Sequence, residues 1–289
     1  MNEPLFTGVC TALVTPFLDG KVNYPMLEQL LRRQIDSGVH CIVLTGTTGE
    51  APTLNDREKI DIVECAKRYV GDQCTIIAGT GSNDTQHAVD LSKRAEQAGA
   101  DALLIVSPYY NKATPEGLFA HYLAVAHSVN IPIVIYNVPS RTGVDIPVSV
   151  YKRLSRIPNI AGVKEAGSDI TKITKIRNAC DNDFAIWSGN DDQIVPVMSM
   201  GGKGVISVLS NICPTETVAM AEAALAGDFD TASALQCQLQ PLVELLFCEV
   251  NPIPVKAAMK EIGFDCGGCR LPLTGLNPEH QKQLQAFFS

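Results

Sequence analysis

The sequence predicts a (β/α)8 barrel with a C-terminal helical appendage, and three observations support this fold class. Eight short apolar runs precede residue 225, and their starts are about 20 to 34 residues apart, the length of one strand–helix unit. The runs are continuously apolar, as parallel strands buried on both faces are. Segments with helical periodicity separate them. An open doubly wound sheet is the alternative, but it usually has fewer strands for this length, and no GxGxxG follows the first run.

The predicted strands take their boundaries from the apolar runs. In chain order they are VCTALVT (9–15), CIVLT (41–45), CTIIAG (74–79), ALLIV (102–106), IPIVIY (131–136), IAGVK (160–164), FAIWS (184–188) and GVISVLS (204–210). Gly, Ser, Thr, Asn and Tyr residues are concentrated directly after these runs. Because barrel enzymes carry their chemistry at the carboxyl ends of the strands, these segments predict a pocket of hydroxyl and N–H groups suited to a carboxylate or phosphate.

The segments between the first strands have the periodicity and the ends of amphipathic helices. The second of them has Asn55 as its N-cap, Glu58 three residues on as the partner in a capping box, and Gly71 as its stop. The helices predicted between the early strands span 26–38, 55–71, 83–100 and 114–130.

The strand pattern ends near residue 225. Three helical segments follow, at 228–249, 253–264 and 277–288, and turns rich in Pro and Gly connect them. We therefore predict two domains, a catalytic barrel over residues 1–225 and a helical domain over 226–289.

Composition excludes several classes of protein. With 289 residues, 46% of them apolar, and a net charge of −8, the chain is expected to be globular and to bind neither nucleic acid nor an anionic membrane. It has no uninterrupted apolar stretch of membrane-spanning length, and its start lacks the basic region of a secretory signal. We expect a cytoplasmic protein in which the ten cysteines are mostly small buried side chains, and the pair Cys266 and Cys269 is only a weak metal or redox signal.

One residue breaks the strand pattern. Lys164 closes the apolar run 160–164, where burial disfavours an ammonium ion, and a neutral amine is a nucleophile toward carbonyl groups. Two other interpretations stay open: the side chain reaches out of the barrel mouth, or it pairs with Glu165.

Polar residues at neighbouring strand ends could assist such an amine. Tyr136 closes the fifth run and could transfer protons, although a lone buried tyrosine is more often structural. Arg141 follows in a loop and suits a carboxylate, or a surface ion pair. Thr47 and Thr48, between glycines, could donate to an anion or serve only as turn residues.

Seven motifs together resemble the dihydrodipicolinate synthase (4-hydroxy-tetrahydrodipicolinate synthase) family. They are GTTGE at 46–50, SPYYN at 107–111, YNVPSRTG at 136–143, VKEA at 163–166, SGNDD at 188–192, GVISVLSN at 204–211 and NPIPVK at 251–256. The similarity runs over essentially the whole chain. Any one motif is moderate support for the family, whereas the ordered set is strong.

The resemblance implies a class I aldolase-type lyase of lysine and diaminopimelate biosynthesis. Such an enzyme condenses pyruvate, held as a Schiff base on lysine, with L-aspartate 4-semialdehyde, and uses no metal or organic cofactor. Family members are mostly homotetramers built as dimers of dimers, with some dimers.

The resemblance also assigns roles to matching positions. They are Lys164 for the Schiff base, Tyr136 for acid–base catalysis, Thr47 and Tyr110 for the proton relay, Thr48 for the pyruvate carboxylate, Arg141 for the semialdehyde carboxylate, and Gly189 and Ile206 for the pocket lining. In the family Tyr110 comes from the neighbouring subunit.

Three alternatives remain for the function. N-acetylneuraminate lyases and 2-keto-3-deoxy sugar acid aldolases share the barrel, the lysine and the tyrosine. They typically lack the arginine found here as Arg141, and the sialic acid lyases have Ser-Thr where this chain has Thr47 and Thr48. A barrel that only binds a metabolite is the remote third alternative.

The resemblance further predicts weak or absent inhibition by lysine. Inhibited members bind lysine at the dimer interface, at positions corresponding here to Ala51, Asp56, Lys59, Asn83, His87 and Tyr109. Position 87 is a glutamate in those members, and its replacement by histidine removes a charge partner for the ammonium group of the effector.

Overall fold

In the computed structural model, which describes residues 3–289, eight parallel strands form a closed barrel. The strands are β1 (Gly8–Ala12), β2 (Cys41–Leu44), β3 (Thr75–Gly79), β4 (Ala102–Val106), β5 (Ile133–Asn137), β6 (Ile160–Glu165), β7 (Ala185–Ser188) and β8 (Gly204–Ser207). Each strand pairs with its neighbours in the sequence, and β8 closes the barrel against β1. The predicted fold class is confirmed.

Helices lie between the strands and after the last one. They are α1 (Tyr24–Asp36), α2 (Asp56–Val70), α3 (Thr85–Gln97), α4 (Pro115–Ala126), α5 (Pro139–Thr142), α6 (Val148–Leu154), α7 (Thr171–Ala179), α8 (Ile194–Ser199), α9 (Pro214–Leu225), α10 (Phe229–Leu246), α11 (Ile253–Glu261) and α12 (Pro278–Phe288). The predicted capping box is confirmed: Asn55 Oδ1 accepts from Glu58 N, and Glu58 Oε2 accepts from Asn55 N.

The strands separate two apolar layers. The larger layer lies between the barrel and its helices, and it includes leucines of α10. The smaller one fills the barrel interior and includes Cys10, Cys41, Tyr136 and Trp187. Inward and outward side chains alternate along each strand, so the register determines which residues reach the interior.

A β-bulge interrupts the pairing of β5 with β6. Ile133 pairs with Ile160, but the next residue, Val134, pairs with Gly162. Ala161 is therefore an extra residue in β6, which is the definition of a bulge.

The bulge reverses the alternation of β6. Ile160 and Val163 both belong to the outer layer. They are three positions apart, an odd spacing that would put them on opposite faces of a regular strand. In a regular strand, Lys164 would face the same side as Ile160, because side chains repeat every second residue. With the extra residue, Lys164 instead faces the interior, in register with Tyr136.

The C-terminal helices pack on the barrel. Helix α10 lies against α8 and α9, and α12 lies against α10 and α11. The division into domains at residue 225 stays a prediction. Within residues 3–289, no helix has both the length and the apolar character to cross a membrane.

The ten cysteines are all free thiols. Five are buried, as expected of small apolar side chains: Cys10, Cys41, Cys65, Cys74 and Cys266. Four are half-buried, and Cys237 is exposed, so the expectation of burial holds for only half of them.

Candidate active site

The loop after β2 is held in a strained conformation. Two residues other than glycine, Thr45 (φ 53°) and Glu50 (φ 57°), adopt left-handed backbone angles at its ends. Such angles cost about 1–3 kcal/mol each and persist only where the surroundings impose them. Thr45 Oγ1 donates to the Gly79 carbonyl at 3.1 Å, which fixes one end of the segment that carries Thr47 and Thr48.

A buried ion pair fixes the other end. Glu50 Oε1 lies 2.8 Å from Lys256 Nζ on α11, and both side chains are almost fully inaccessible. Glu50 Oε2 accepts from the Arg270 backbone N–H at 2.8 Å, and Lys256 Nζ lies 4.4 Å from the centre of the Phe17 ring. The C-terminal segment therefore holds the loop that follows β2.

Lys164 lies inside the barrel without a counterion. Its side chain is buried, and Nζ stands 4.4 Å from the centre of the Tyr136 ring. Within residues 3–289, no carboxylate oxygen comes within 4.0 Å of Lys164 Nζ. A desolvated amine without an acidic partner can act as a nucleophile.

Glu165 does not pair with Lys164. It is buried on the opposite face of β6, where its carboxylate accepts from Asn137 Nδ2 at 2.7 Å and from the Tyr151 hydroxyl at 3.2 Å. Lys172 Nζ lies 3.4 Å from Glu165 Oε2, the oxygen that also accepts from Tyr151. The interpretation that Lys164 pairs with Glu165 is therefore wrong, because adjacent residues of a strand point to opposite faces.

Gly189 leaves room for Lys164. A Cβ atom at this position would lie 3.1 Å from Lys164 Cε and 2.6 Å from the Ala166 side chain. Its N–H donates to the Glu165 carbonyl at 2.7 Å, which keeps the end of β7 close to β6.

Two cavities open at the carboxyl ends of the strands. One, of about 590 Å³, is lined by Thr47, Tyr136 and Arg141 among other residues. The other, of about 640 Å³, lies between the ends of β5 to β7 and α10 and is lined by Ala166 and Asn190. Three of the predicted site residues, Thr47, Tyr136 and Arg141, thus line one cavity at this end of the barrel.

Thr48 is buried next to Thr47 in the chain, and one residue connects it to Arg141. Asn251 Nδ2 donates to Thr48 Oγ1 at 2.9 Å, and the Asn251 carbonyl accepts from Arg141 Nη2 at 3.5 Å. Sequence reasoning assigned no role to Asn251, because NPIP at 251–254 has the composition of a turn. Its place in the NPIPVK motif is the signal that could have found it.

Two predicted residues have other surroundings. Ile206 is fully buried in the barrel interior, in register with Cys10. Tyr110 is 89% exposed, has a positive φ of 72°, and does not line either cavity of its own chain. The expectation that it acts from a neighbouring subunit stays a prediction.

Asp191 anchors the loops after β7 and β8. Its Oδ2 accepts from the backbone N–H groups of Val208 and Leu209, each at 2.9 Å. Burial raises the pKa of its carboxyl group, and hydrogen bonds from Ser207, Leu209 and Val208 partly oppose that shift.

The residues matched to the lysine site line the first cavity. His87 Nε2 is 3.0 Å from Asp56 Oδ1, and Arg94 Nη1 is 3.5 Å from Asp56 Oδ2. Asp56 is thus already engaged by two side chains. The expected weak or absent inhibition by lysine stays a prediction.

The fold and the site together define a (β/α)8-barrel enzyme with a buried lysine at the end of its sixth strand. Residues 5–289 match the model of the dihydrodipicolinate synthetase family. The chain belongs to this family.

Similar proteins are known over nearly the full length. The chain is 46% identical over 280 residues to a 4-hydroxy-tetrahydrodipicolinate synthase of Acetivibrio thermocellus, covering 97% of this chain and 95% of the relative. It is 47% identical to one of Caldicellulosiruptor saccharolyticus, covering 98% and 96%. A crystal structure of dihydrodipicolinate synthase from Aquifex aeolicus superposes with a TM-score of 0.96 at 42% identity, covering 98% of this chain and 97% of that one.

These relatives decide between the functions left open by the sequence. They confirm the predicted family and show a lyase. Their names favour the synthase over the N-acetylneuraminate lyase, the sugar acid aldolase and the metabolite-binding barrel.

Proposed function

We propose that this enzyme condenses pyruvate with L-aspartate 4-semialdehyde to give 4-hydroxy-tetrahydrodipicolinate, through a Schiff base on Lys164. The observation that carries the proposal is a buried lysine without a carboxylate partner, beside a tyrosine ring, at the active end of the barrel. The relatives support the choice of substrates, since those of Acetivibrio thermocellus and Caldicellulosiruptor saccharolyticus are named as synthases of this product.

The neutral amine of Lys164 attacks the C2 carbonyl of pyruvate, and loss of water from the carbinolamine gives the imine. Removal of a C3 proton converts the imine into an enamine, which forms the new carbon–carbon bond with the aldehyde of the semialdehyde. The amino group of the second substrate then attacks the imine carbon, closes the ring and releases Lys164 as a free amine.

Several of these steps transfer protons. Tyr136 is the acid–base residue in our proposal, because its ring lies against Lys164 Nζ. Thr47 relays protons from the wall of the same cavity. Tyr110 completes the relay from a neighbouring subunit of a homotetramer, and its exposure supports that assignment.

Two carboxylated substrates need fixed donors. Thr48 holds the pyruvate carboxylate and Arg141 the carboxylate of the semialdehyde, because hydroxyl and guanidinium groups donate to anions. Gly189 leaves space for the lysine adduct, and Ile206 lines the pocket. The reaction takes place in the cytoplasm. It needs no metal or organic cofactor, since the imine formed on Lys164 activates pyruvate for loss of its C3 proton.

Borohydride trapping tests the Schiff base. The protein is incubated with pyruvate and borohydride, and peptide mass spectrometry locates the adduct. We expect one reduced pyruvate adduct, on Lys164, and none in Lys164→Arg, whose guanidinium is not a nucleophile at neutral pH. An adduct on a different lysine, or none in the unaltered protein, would contradict the proposal.

A second test compares aspartate 4-semialdehyde with N-acetylmannosamine as the second substrate. Turnover with the first supports the synthase, and turnover with the second supports the sialic acid lyase.

A further inference from the structure

We propose that Asn251 is a positioning residue that aims the Thr48 hydroxyl at the carboxylate of the first substrate. This inference rests on the proposed function, because it takes Thr48 as the group that binds pyruvate. Asn251 precedes α11, lies 203 residues from Thr48 in sequence, and is buried with 5% of its surface exposed.

The chemistry of the two groups determines the direction of their hydrogen bond. A side-chain NH₂ group can only donate, so Thr48 Oγ1 accepts from Asn251 Nδ2. The single hydroxyl proton of Thr48 is then free for another acceptor. A carboxylate can only accept hydrogen bonds. Because the Thr48 oxygen already accepts from Asn251, the Thr48 hydroxyl can donate its proton to such a carboxylate.

The other side of the Asn251 amide is not bonded. Asn251 Oδ1 is buried and has no hydrogen-bond partner among the described residues. Buried polar atoms in proteins are nearly always paired. An asparagine kept only for stability would be expected to use both ends of its amide, whereas here just the end that faces Thr48 is used.

Asn251 contacts the second carboxylate-binding residue through its main chain. Its carbonyl oxygen accepts from Arg141 Nη2 at 3.5 Å. A substitution of the Asn251 side chain therefore removes the bond to Thr48 but leaves the acceptor for Arg141. The two substrates should respond differently, and a general loss of structure would not produce that difference.

The test measures each substrate separately. The half-saturating pyruvate concentration comes from borohydride trapping on Lys164, without the second substrate, and the KM of the semialdehyde comes from initial rates at saturating pyruvate. We expect Asn251→Ala to raise the half-saturating pyruvate concentration about tenfold, which corresponds to the free energy of one hydrogen bond. The KM of the semialdehyde should stay within about twofold. We expect Asn251→Asp to raise the pyruvate value further, because a carboxylate accepts the Thr48 proton and repels the substrate.

A double variant separates positioning from independent binding. If Asn251 acts through Thr48, Asn251→Ala combined with Thr48→Val has the same half-saturating pyruvate concentration as Thr48→Val alone. Multiplied effects, an unchanged pyruvate value in Asn251→Asp, or equal changes for both substrates would overturn the inference. If the unaltered protein forms no adduct, the proposed function fails instead.

A matched control accounts for lost stability. Asn159 donates through Nδ2 to the carbonyls of Ala126 and Val129, at 2.8 and 3.1 Å, just before β6 at the opposite end of the barrel. Asn159→Ala removes a comparable amide but should leave the pyruvate value unchanged. If Asn251→Ala does not fold, the nearly isosteric Asn251→Asp still gives the decisive measurement.

Discussion

Three lysines are buried among residues 3–289, and their surroundings differ. Lys172 lies beside the carboxylates of Asp145 and Glu165, and Lys256 pairs with Glu50. Lys164 has the Tyr136 ring beside it instead. Lys164 is therefore the one of the three whose amine no carboxylate engages, which leaves it available for chemistry. Sequence reasoning singled it out because it interrupts a strand, whereas Lys172 and Lys256 have the pattern of helix surfaces.

Tyr136 should be essential to turnover but not to folding. We expect Tyr136→Phe to lower kcat about 10²- to 10⁴-fold, the usual contribution of one acid–base group, since only the hydroxyl is lost. Initial rates and a thermal melt check this. Tyr122→Phe is the control: its buried hydroxyl donates to the Ile105 carbonyl at 3.3 Å, so it should lose about 1 kcal/mol of stability and keep kcat. Undiminished kcat in Tyr136→Phe would exclude the proposed role.

At the scale of the elements, one extra residue in β6 connects sequence to chemistry. A period of two predicts Lys164 on the same face as Ile160, toward the helices, but the bulge at Ala161 and Gly162 turns it inward. Gly162 is required there because a Cβ atom would lie 2.1 Å from the Ala185 carbonyl oxygen of β7.

Gly162→Ala should damage both the strand and the site. We expect the free energy of unfolding to fall by about 1–3 kcal/mol or more, as in overpacked cores, together with a loss of borohydride-trapped adduct as β6 shifts. Urea unfolding and peptide mapping measure the two effects. Gly275→Ala has open space around its Cβ position and should stay within about 0.5 kcal/mol of the unaltered protein. Full stability and normal trapping in Gly162→Ala would show that the bulge does not orient Lys164.

For the whole molecule, the C-terminal segment contributes to the candidate active site. Asn251, Lys256 and Arg270 hold Thr48 and Glu50 from more than 200 residues away in sequence. The net charge of −8 also repels both anionic substrates at long range. Their attraction must come from local groups, which the strand ends and the C-terminal segment assemble together.

Stability should fall in acid partly because of one histidine. Burial lowers the pKa of His121 to about 4, and the charge of Asp84 only partly opposes this. The unfolded value is about 6.5, so between these pH values the unfolded chain binds more protons. The free energy of unfolding should therefore decrease as pH falls from about 7 to 4, by up to roughly 3 kcal/mol from this residue.

Urea unfolding as a function of pH tests the role of His121. We expect His121→Gln to show a shallower decline below about pH 6.5, whereas His127→Gln, at an exposed site, should follow the unaltered protein. Identical pH profiles for His121→Gln and the unaltered protein would assign the acid sensitivity to other groups.

The sequence by itself determined the barrel, its helices and the strand ends that carry the chemistry. Apolar runs, periodicity and caps are local signals, and the fold class follows from their order. Lys164, Tyr136, Thr47 and Arg141 could be named from their positions. Only the tertiary structure decided that Lys164 faces the barrel interior and does not pair with Glu165. The face on which a residue of β6 lies depends on the bulge, and the bulge is defined by the pairing of β6 with β5. It alone also brought Asn251 to Thr48, since contacts between distant segments arise from packing and leave no local pattern.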